Sequence, residues 1–296
     1  MQNTLTLRHF LLAVAVVAVW GSNFVVIKFA LNDLPPLLFA TLRFALAFVP
    51  AAFLLPRPRV SWRNLASYGV MIGVGQFGVL YVAMNGHISP GLASLVIQTQ
   101  VFFTIALTMG LSGEKVRPFQ IIALVLAASG VGVIVWHTDG STTITGLLLV
   151  LVAAMSWAGA NIVVVRARGV NMLSYVVWSS IFAVPPLLLL SFVLEGPDAI
   201  VAGLRAANLS TWSAVLWQSF GNTLFGYAAW GWLLSRYPAA TITPMALLVP
   251  VFGISASALW RGEALPDWKL VAAALVISGL SINLLWPRWQ TIRKRR

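Results

Sequence analysis

The sequence contains no cysteine, which excludes a disulfide framework, a thiolate nucleophile and any cysteine-ligated metal. Charge is scarce too: 9% of residues are Asp, Glu, Lys or Arg, against roughly 25% in an ordinary soluble domain. Only seven residues are acids, and none of them falls inside an apolar block. The three histidines, His9, His87 and His137, stand at block ends rather than paired on one helical face, and no glycine-rich phosphate loop follows a strand. The usual hydrolytic and redox sites lack their residues, so the protein is read as a non-enzyme with neither cofactor nor metal.

What is present is apolar. Of 296 residues 59% are hydrophobic, and they recur from end to end in blocks. Such blocks are about 20 residues long, enough to cross roughly 30 Å of hydrocarbon. Backbone groups in lipid must pair within their own segment, so each block is read as a helix. Barrel strands would alternate in polarity, and nothing here does. Cutting at polar, Pro-rich and Gly-rich breaks predicts an all-α integral membrane protein with spans at 10–31, 37–55, 65–85, 91–111, 118–136, 145–166, 174–194, 211–234, 240–260 and 267–286. The first block continues past Trp20 to Leu31 without a small-residue cleavage site, so it is read as an uncleaved span.

The net charge of +12 sits beside apolar blocks, where it reads as a topology signal rather than a nucleic-acid site. With the N-terminus inside, the inner loops collect Arg8, Arg57, Arg59, Arg63, Lys115, Arg117, Arg166, Arg168, Arg236, Arg288, Arg293, Lys294, Arg295 and Arg296, fourteen of the 19 basic residues. The outer side receives Asp33, Asp139, Glu195, Asp198, Glu263 and Asp267, leaving Glu114 inside. Both termini are therefore expected in the cytoplasm, with the segment near 195–210 outside. The basic tail, 287–296, is expected to lie against anionic lipid or simply anchor the topology.

An internal repeat divides the chain. Trp20-Gly-Ser-Asn23 precedes Lys28, and Trp157-Ala-Gly-Ala-Asn161 precedes Arg166, each cation five residues after its Asn. Gly113-Glu114 stands before Ser129-Gly130 much as Gly262-Glu263 stands before Ser278-Gly279. The halves are 10–136 and 145–286, five spans each. Because five is odd, the second half enters from the opposite side, which gives an inverted repeat of the kind transporters use.

Particular residues carry a family resemblance: Val19-Trp20-Gly21-Ser22-Asn23-Phe24 through Lys28, Leu34-Pro35-Pro36, Leu42-Arg43-Phe44, Gly91-Leu92-Ala93-Ser94, Gln98, Gln100, Ser156-Trp157, Arg236-Tyr237 and Leu247-Leu248-Val249-Pro250. Over essentially its whole length the chain resembles the drug/metabolite transporter superfamily, with an EamA domain present twice. That resemblance implies ten helices around a central cavity, alternating access, and export of small metabolites across the bacterial inner membrane. Amino acids or derivatives such as cysteine and O-acetylserine are the expected cargo. Efflux of a drug, dye precursor or nucleobase-like compound is the alternative, favoured by the aromatic content. A non-transporting scaffold or sensor would need no cavity. The expected partners are the cargo and membrane lipid, not nucleic acid; oligomeric state leaves no signal.

Lys28 and Arg43 are the informative charges within spans. At about 1.5 Å per residue they lie roughly 5 and 10 Å from the outer helix ends, at similar depth on neighbouring helices. Either Lys28 snorkels outward and Arg43 binds helix-end carbonyls or Asp33, or both hold a substrate carboxylate. The amides Asn23, Gln76, Gln98, Gln100, Asn161, Gln218 and Asn222 need partners in hydrocarbon, from neighbouring helices or from cargo. Asn23 and Asn161, related by the repeat, are expected to face one cavity, with Trp20 and Trp157 as its walls. Tyr81, Trp178, Tyr227 and Trp230 are the other aromatics inside or near span cores. The candidate substrate-binding set is Trp20, Asn23, Lys28, Arg43, Gln76, Gln98, Gln100, Trp157, Asn161, Trp178, Asn222 and Tyr227. Pro185, Pro186, Pro244 and Pro250 predict kinks, and Gly69, Gly73, Gly130 and Gly132 close helix approach.

Overall fold

A computed structural model describes residues 5–112, 117–137, 142–167 and 169–293. Glu114, Lys115, Asp139, Arg168 and the tail past Arg293 lie outside the described residues, and so do the expectations attached to them. Among the described residues eight helices have the length and composition of a membrane span: α1 Leu7–Ala30, α3 Trp62–Met84, α4 Pro90–Leu111, α5 Pro118–Trp136, α6 Ile144–Val165, α7 Met172–Glu195, α10 Thr243–Arg261 and α11 Asp267–Pro287. Helix α2, Pro36–Ala52, is apolar but shorter. Helices α8, Pro197–Ala206, and α9, Leu209–Arg236, meet at a bend of 104°. Each predicted span coincides with one helix to within three residues at either end, whereas α8 was expected as loop.

The helices start where the sequence supplies acceptors for unpaired N–H groups. Thr6, Ser61, Ser89, Thr143, Asn171 and Asn208 each accept from the first turn of the following helix. Proline opens α2, α4, α5 and α8, where its missing N–H costs nothing.

Side-chain ties sort the helix ends into two poles. At one, Lys28 donates to the Met84 carbonyl, Glu195 accepts from the backbone N–H of Leu37 and Leu38, Asp33 accepts from Asn208 and Thr211, and Glu263 accepts from the Gly91 N–H. At the other, His9 meets Tyr237, Tyr175 donates to Asn64, Trp178 donates to the Leu55 carbonyl, and Phe119 stacks on Trp286. Successive long helices therefore run up and down, and α1 begins at the same pole at which α11 finishes. The first pole carries the described acids; the second carries Arg57, Arg59, Arg63, Arg117, Arg166 and Arg236.

Packing and irregularity both recur along the chain. Helix α1 packs on α9 and α10, and α6 packs on α3 and α4; α2 pairs with α7 and α5 with α11. Helix α3 widens to a π-helix over Met71–Gly78 and α9 does so over Trp217–Phe225. Helix α4 tightens to a 3-10 turn over Ile97–Thr99, α10 over Thr243–Leu248. Of the glycines expected at close approaches, Gly73 lies against Ala183 of α7 and Gly130 against Val276 of α11. Gly132 has open space where a side chain would stand, so it serves no such contact. Outward faces such as Ile121, Ile122, Leu124 and Val125 of α5 are apolar and exposed, as lipid contact requires.

Candidate functional site

Arg43, midway along α2, is 1% exposed. One terminal nitrogen donates to the Tyr81 hydroxyl at 3.1 Å and the other to Thr223 Oγ1 at 2.9 Å. The guanidinium carbon stands 3.9 Å from the ring centre of Phe77 and 4.8 Å from that of Phe44, so π-faces flank the charge. Its Nε has no partner among the described residues. From Tyr81 the network continues: the hydroxyl donates to Gln218 Oε1 at 3.2 Å, and Gln218 Nε2 donates to Asn23 Oδ1 at 2.6 Å. Ser219 Oγ donates to the Arg43 carbonyl at 3.0 Å. Helices α1, α2, α3 and α9 thus converge on one buried cation.

Local backbone explains the convergence. Gln218, Ser219, Asn222 and Thr223 all lie on the π segment of α9, and Phe77 lies on that of α3, four residues before Tyr81. The wider turn re-aims side chains that an unbroken α-helix would send elsewhere. Asn222, also buried, accepts from Trp20 Nε1 at its backbone carbonyl, 3.1 Å. The Trp20 ring lies 5.8 Å from that of Tyr227 and 5.2 Å from that of Trp230. Gly226 makes this possible, since a Cβ there would overlap Trp20 Nε1.

The structure thus gathers Trp20, Asn23, Arg43, Asn222 and Tyr227 of the expected set, with Gln76 buried on the neighbouring π segment. It separates the others. Asn161 Nδ2 donates to Gln100 Oε1 at 2.9 Å and to Thr104 Oγ1 at 3.2 Å, a second network between α6 and α4, so Asn23 and Asn161 share no hydrogen bond among the described residues. Gln98 and Trp157 are half-buried and bond to neither network among the described residues. Trp178 belongs to packing at the basic pole, its Nε1 donating to the Leu55 carbonyl at 3.0 Å and its ring edge-on to Phe48. Lys28 does not join Arg43: its Nζ reaches the Met84 carbonyl at 3.1 Å, at the acidic pole. Counting rise along two helices gave similar depths but no direction around the axis, and Tyr81 and Thr223 occupy the place expected for Lys28.

Tyr81, Gln218, Ser219 and Thr223 were outside the expected set. A signal for the first existed, because Gly75-Gln76 precedes Tyr81 at the interval by which Gly221-Asn222 precedes Tyr227. No carboxylate reaches Arg43 among the described residues. Glu195 Oε1 accepts from the Leu37 N–H at 2.6 Å, capping α2, and Asp33 is held by Thr211 and Asn208. Glu263 accepts from Ser89 at 2.5 Å, from Gly91 N–H and Ser257, and pairs with Lys269 at 2.9 Å. Burial pushes the Glu263 carboxyl up, but the hydrogen bonds from Ser257 and Ser89 and the Lys269 ammonium outweigh it and hold the group below its usual 4.5. A cleft of about 290 Å³ opens elsewhere, at the basic pole, lined by Arg117, Gln120 and Asn283 among others, and none of the expected residues borders it.

Long apolar helices enclosing one buried polar focus, supplied by elements distant in sequence, are the build of a membrane transport protein. The chain belongs to the EamA-like transporter family, whose profile matches residues 7–136 and 144–285. It is 41% identical to a "probable amino-acid metabolite efflux pump" of Salmonella typhimurium strain LT2, over 92% of this chain and 93% of that one. A protein of the same description from Escherichia coli strain K12 is 38% identical over 94% and 95% of the two chains. A "probable terminal-alkyne amino-acid exporter" of Streptantibioticus cattleyicolor is 26% identical over 91% of each. A solved crystal structure aligns with TM-score 0.66 at 18% identity, covering 96% of this chain and 98% of that chain, a likeness of fold.

Proposed function

We propose that this protein exports a small carboxylate-bearing metabolite, an amino acid or a derivative such as cysteine or O-acetylserine, across a bacterial inner membrane, and that Arg43 holds the carboxylate. The observation that carries this reading is the buried guanidinium itself. Two of its nitrogens are engaged by neutral hydroxyls, Nε is uncommitted, and no described acid offsets its charge. A planar fork of donors matches a carboxylate, and a charge-assisted bond is strongest where water is excluded. The names of the relatives favour amino-acid metabolites as the class.

Transport follows by alternating access between two inverted five-helix halves, 10–136 and 145–286. The mirrored packing of α1 on α9 and α10 and of α6 on α3 and α4 supports that division, as do the paired π segments. Ten crossings result when α2 and α9 join the eight long helices. At 17 residues α2 is about 25 Å long, a modest mismatch that a bilayer accommodates by local thinning. The basic pole faces the cytoplasm. The aromatic group of Trp20, Tyr227 and Trp230 favours a second reading, efflux of a flat aromatic compound. Profiling the medium of cells with wild-type protein, Arg43→Gln or none separates the two: a carboxylate that accumulates only with wild type supports the first, and an uncharged aromatic indifferent to Arg43 the second.

A further inference from the structure

Once the acids of the acidic pole are accounted for, Lys28, Arg205 and Arg261 have no described ion pair there, and Lys28 and Arg261 lie on helices that pack together. Lys28 is half-buried near the end of α1 and uses one donor, to the Met84 carbonyl of α3. Arg261 ends α10, which packs on α1, and its guanidinium carbon lies 5.6 Å from the ring centre of Phe29, the residue after Lys28. Neither is paired with a described carboxylate. Glu263, Glu195 and Asp33 are held by the donors already named, and Asp198 and Asp267 sit in the first turns of α8 and α11. Two like charges at the ends of adjacent helices disfavour each other, and an anion between them offsets this.

We infer that Lys28 and Arg261 form a second carboxylate site at the release end, which receives the cargo after Arg43; this rests on the reading of Arg43 as the central anchor. Lys28 is five residues beyond Asn23 on α1, about 7.5 Å along the axis. Asn23 belongs to the Arg43 network through Gln218, so the second site stands one step toward the acidic pole from the first. Helix α1 is tied through Lys28 to α3 and packs on α10, one helix from each half, so opening the acidic pole uncovers the half-buried ammonium near the already exposed Arg261. The ammonium has two donors left and the guanidinium its full fork, enough for one carboxylate between them.

The test is side-specific affinity. Purified protein in proteoliposomes transports radiolabelled O-acetylserine, presented either from the acidic-pole side or from the basic-pole side. Lys28→Met and Arg261→Gln should each raise KM from the acidic-pole side on the order of tenfold, the worth of a charge-assisted bond, and leave KM from the other side within about twofold. Lys28→Arg should restore most of the loss, and the methyl ester of the same probe should show no difference among variants. Arg261 is exposed, so its variant remains informative if Lys28→Met fails to assemble. Unchanged KM from the acidic-pole side, or equal changes from both sides, overturns the second site while Arg43 keeps its role. A wild-type protein that moves no labelled probe overturns the amino-acid reading and this site together.

Discussion

Arg43 donates to the hydroxyl of Tyr81 at 3.1 Å, and the same hydroxyl donates onward to Gln218. The cation of α2 is thus connected to α9 both directly, through Thr223, and indirectly, through α3. A charge tied to three helices reports their relative position.

Replacing Arg43 separates binding from folding. Arg43→Gln should lower export of carboxylate substrates at least tenfold while membrane abundance stays near wild type, because a buried neutral amide costs less than a buried unpaired charge. Arg43→Lys should recover little, since a point charge lacks the planar fork. Transport in vesicles normalised to protein content checks both. Normal export by Arg43→Gln would falsify the anchor.

Asn23 and Gln218 should couple in a double-mutant cycle. Interhelical bonds in membranes average about 0.6 kcal/mol and reach about 1.7 kcal/mol. At 2.6 Å and fully buried, this pair should fall in the upper part of that range when Asn23→Ala, Gln218→Ala and the double variant are compared by thermal denaturation in detergent. Asn161→Ala combined with Gln218→Ala should instead be additive, since Asn161 bonds to Gln100.

Most of the fold was legible because a membrane span is a one-dimensional signal: twenty apolar residues register whatever their neighbours. Helix α8 escaped because Pro197–Ala206 is ten residues of mixed polarity, with Ile200 buried and Gly203 against the turn after α1. The site was legible in its residue types and not in its grouping. Arg43 stood out as a cation without an acid, but which side chains surround it depends on helix rotation. The π segments change that rotation, and no proline announces them in α3 or α9. Trp178 shows the converse error, an aromatic in a span whose indole N–H is satisfied by a loop carbonyl.

Glu263 should make stability fall in acid. Its folded value is depressed below 4.5, so its contribution is complete above that pH and is lost as pH falls through the folded value. Denaturation temperature measured from pH 7 to pH 3 should drop below about pH 4.5 for wild type and much less for Glu263→Gln. At pH 7 the variant should be less stable by about 3 kcal/mol, because Lys269 keeps its charge without a partner.

Gly73 and Gly132 should answer differently to a side chain. A Cβ at Gly73 overlaps that of Ala183 across the α3–α7 contact, so Gly73→Val should destabilise by about 2 kcal/mol or more. Gly132 faces open space, and Gly132→Ala should be neutral or stabilising by up to about 1 kcal/mol. Melting of the purified variants distinguishes them.

Orientation is open to a reporter. An enzyme active only outside the cytoplasm should be silent when fused after Arg296 and active when fused after Ala207, between α8 and α9. The reverse pattern would place the basic pole outside.

The π segments also bear on how this chain tolerates change in length. An i→i+5 turn holds one residue more than the α turn it replaces, and in an α-helix each residue advances the azimuth by about 100°. In most transmembrane helices, losing one residue swings everything beyond it to a new face. Within Met71–Gly78 or Trp217–Phe225 the chain already carries the surplus, so a single deletion can be absorbed by reverting to α geometry. These two stretches, like the shorter π segment Ser191–Glu195 at the end of α7, are places where one residue can be lost while the lipid-facing surface on either side is kept.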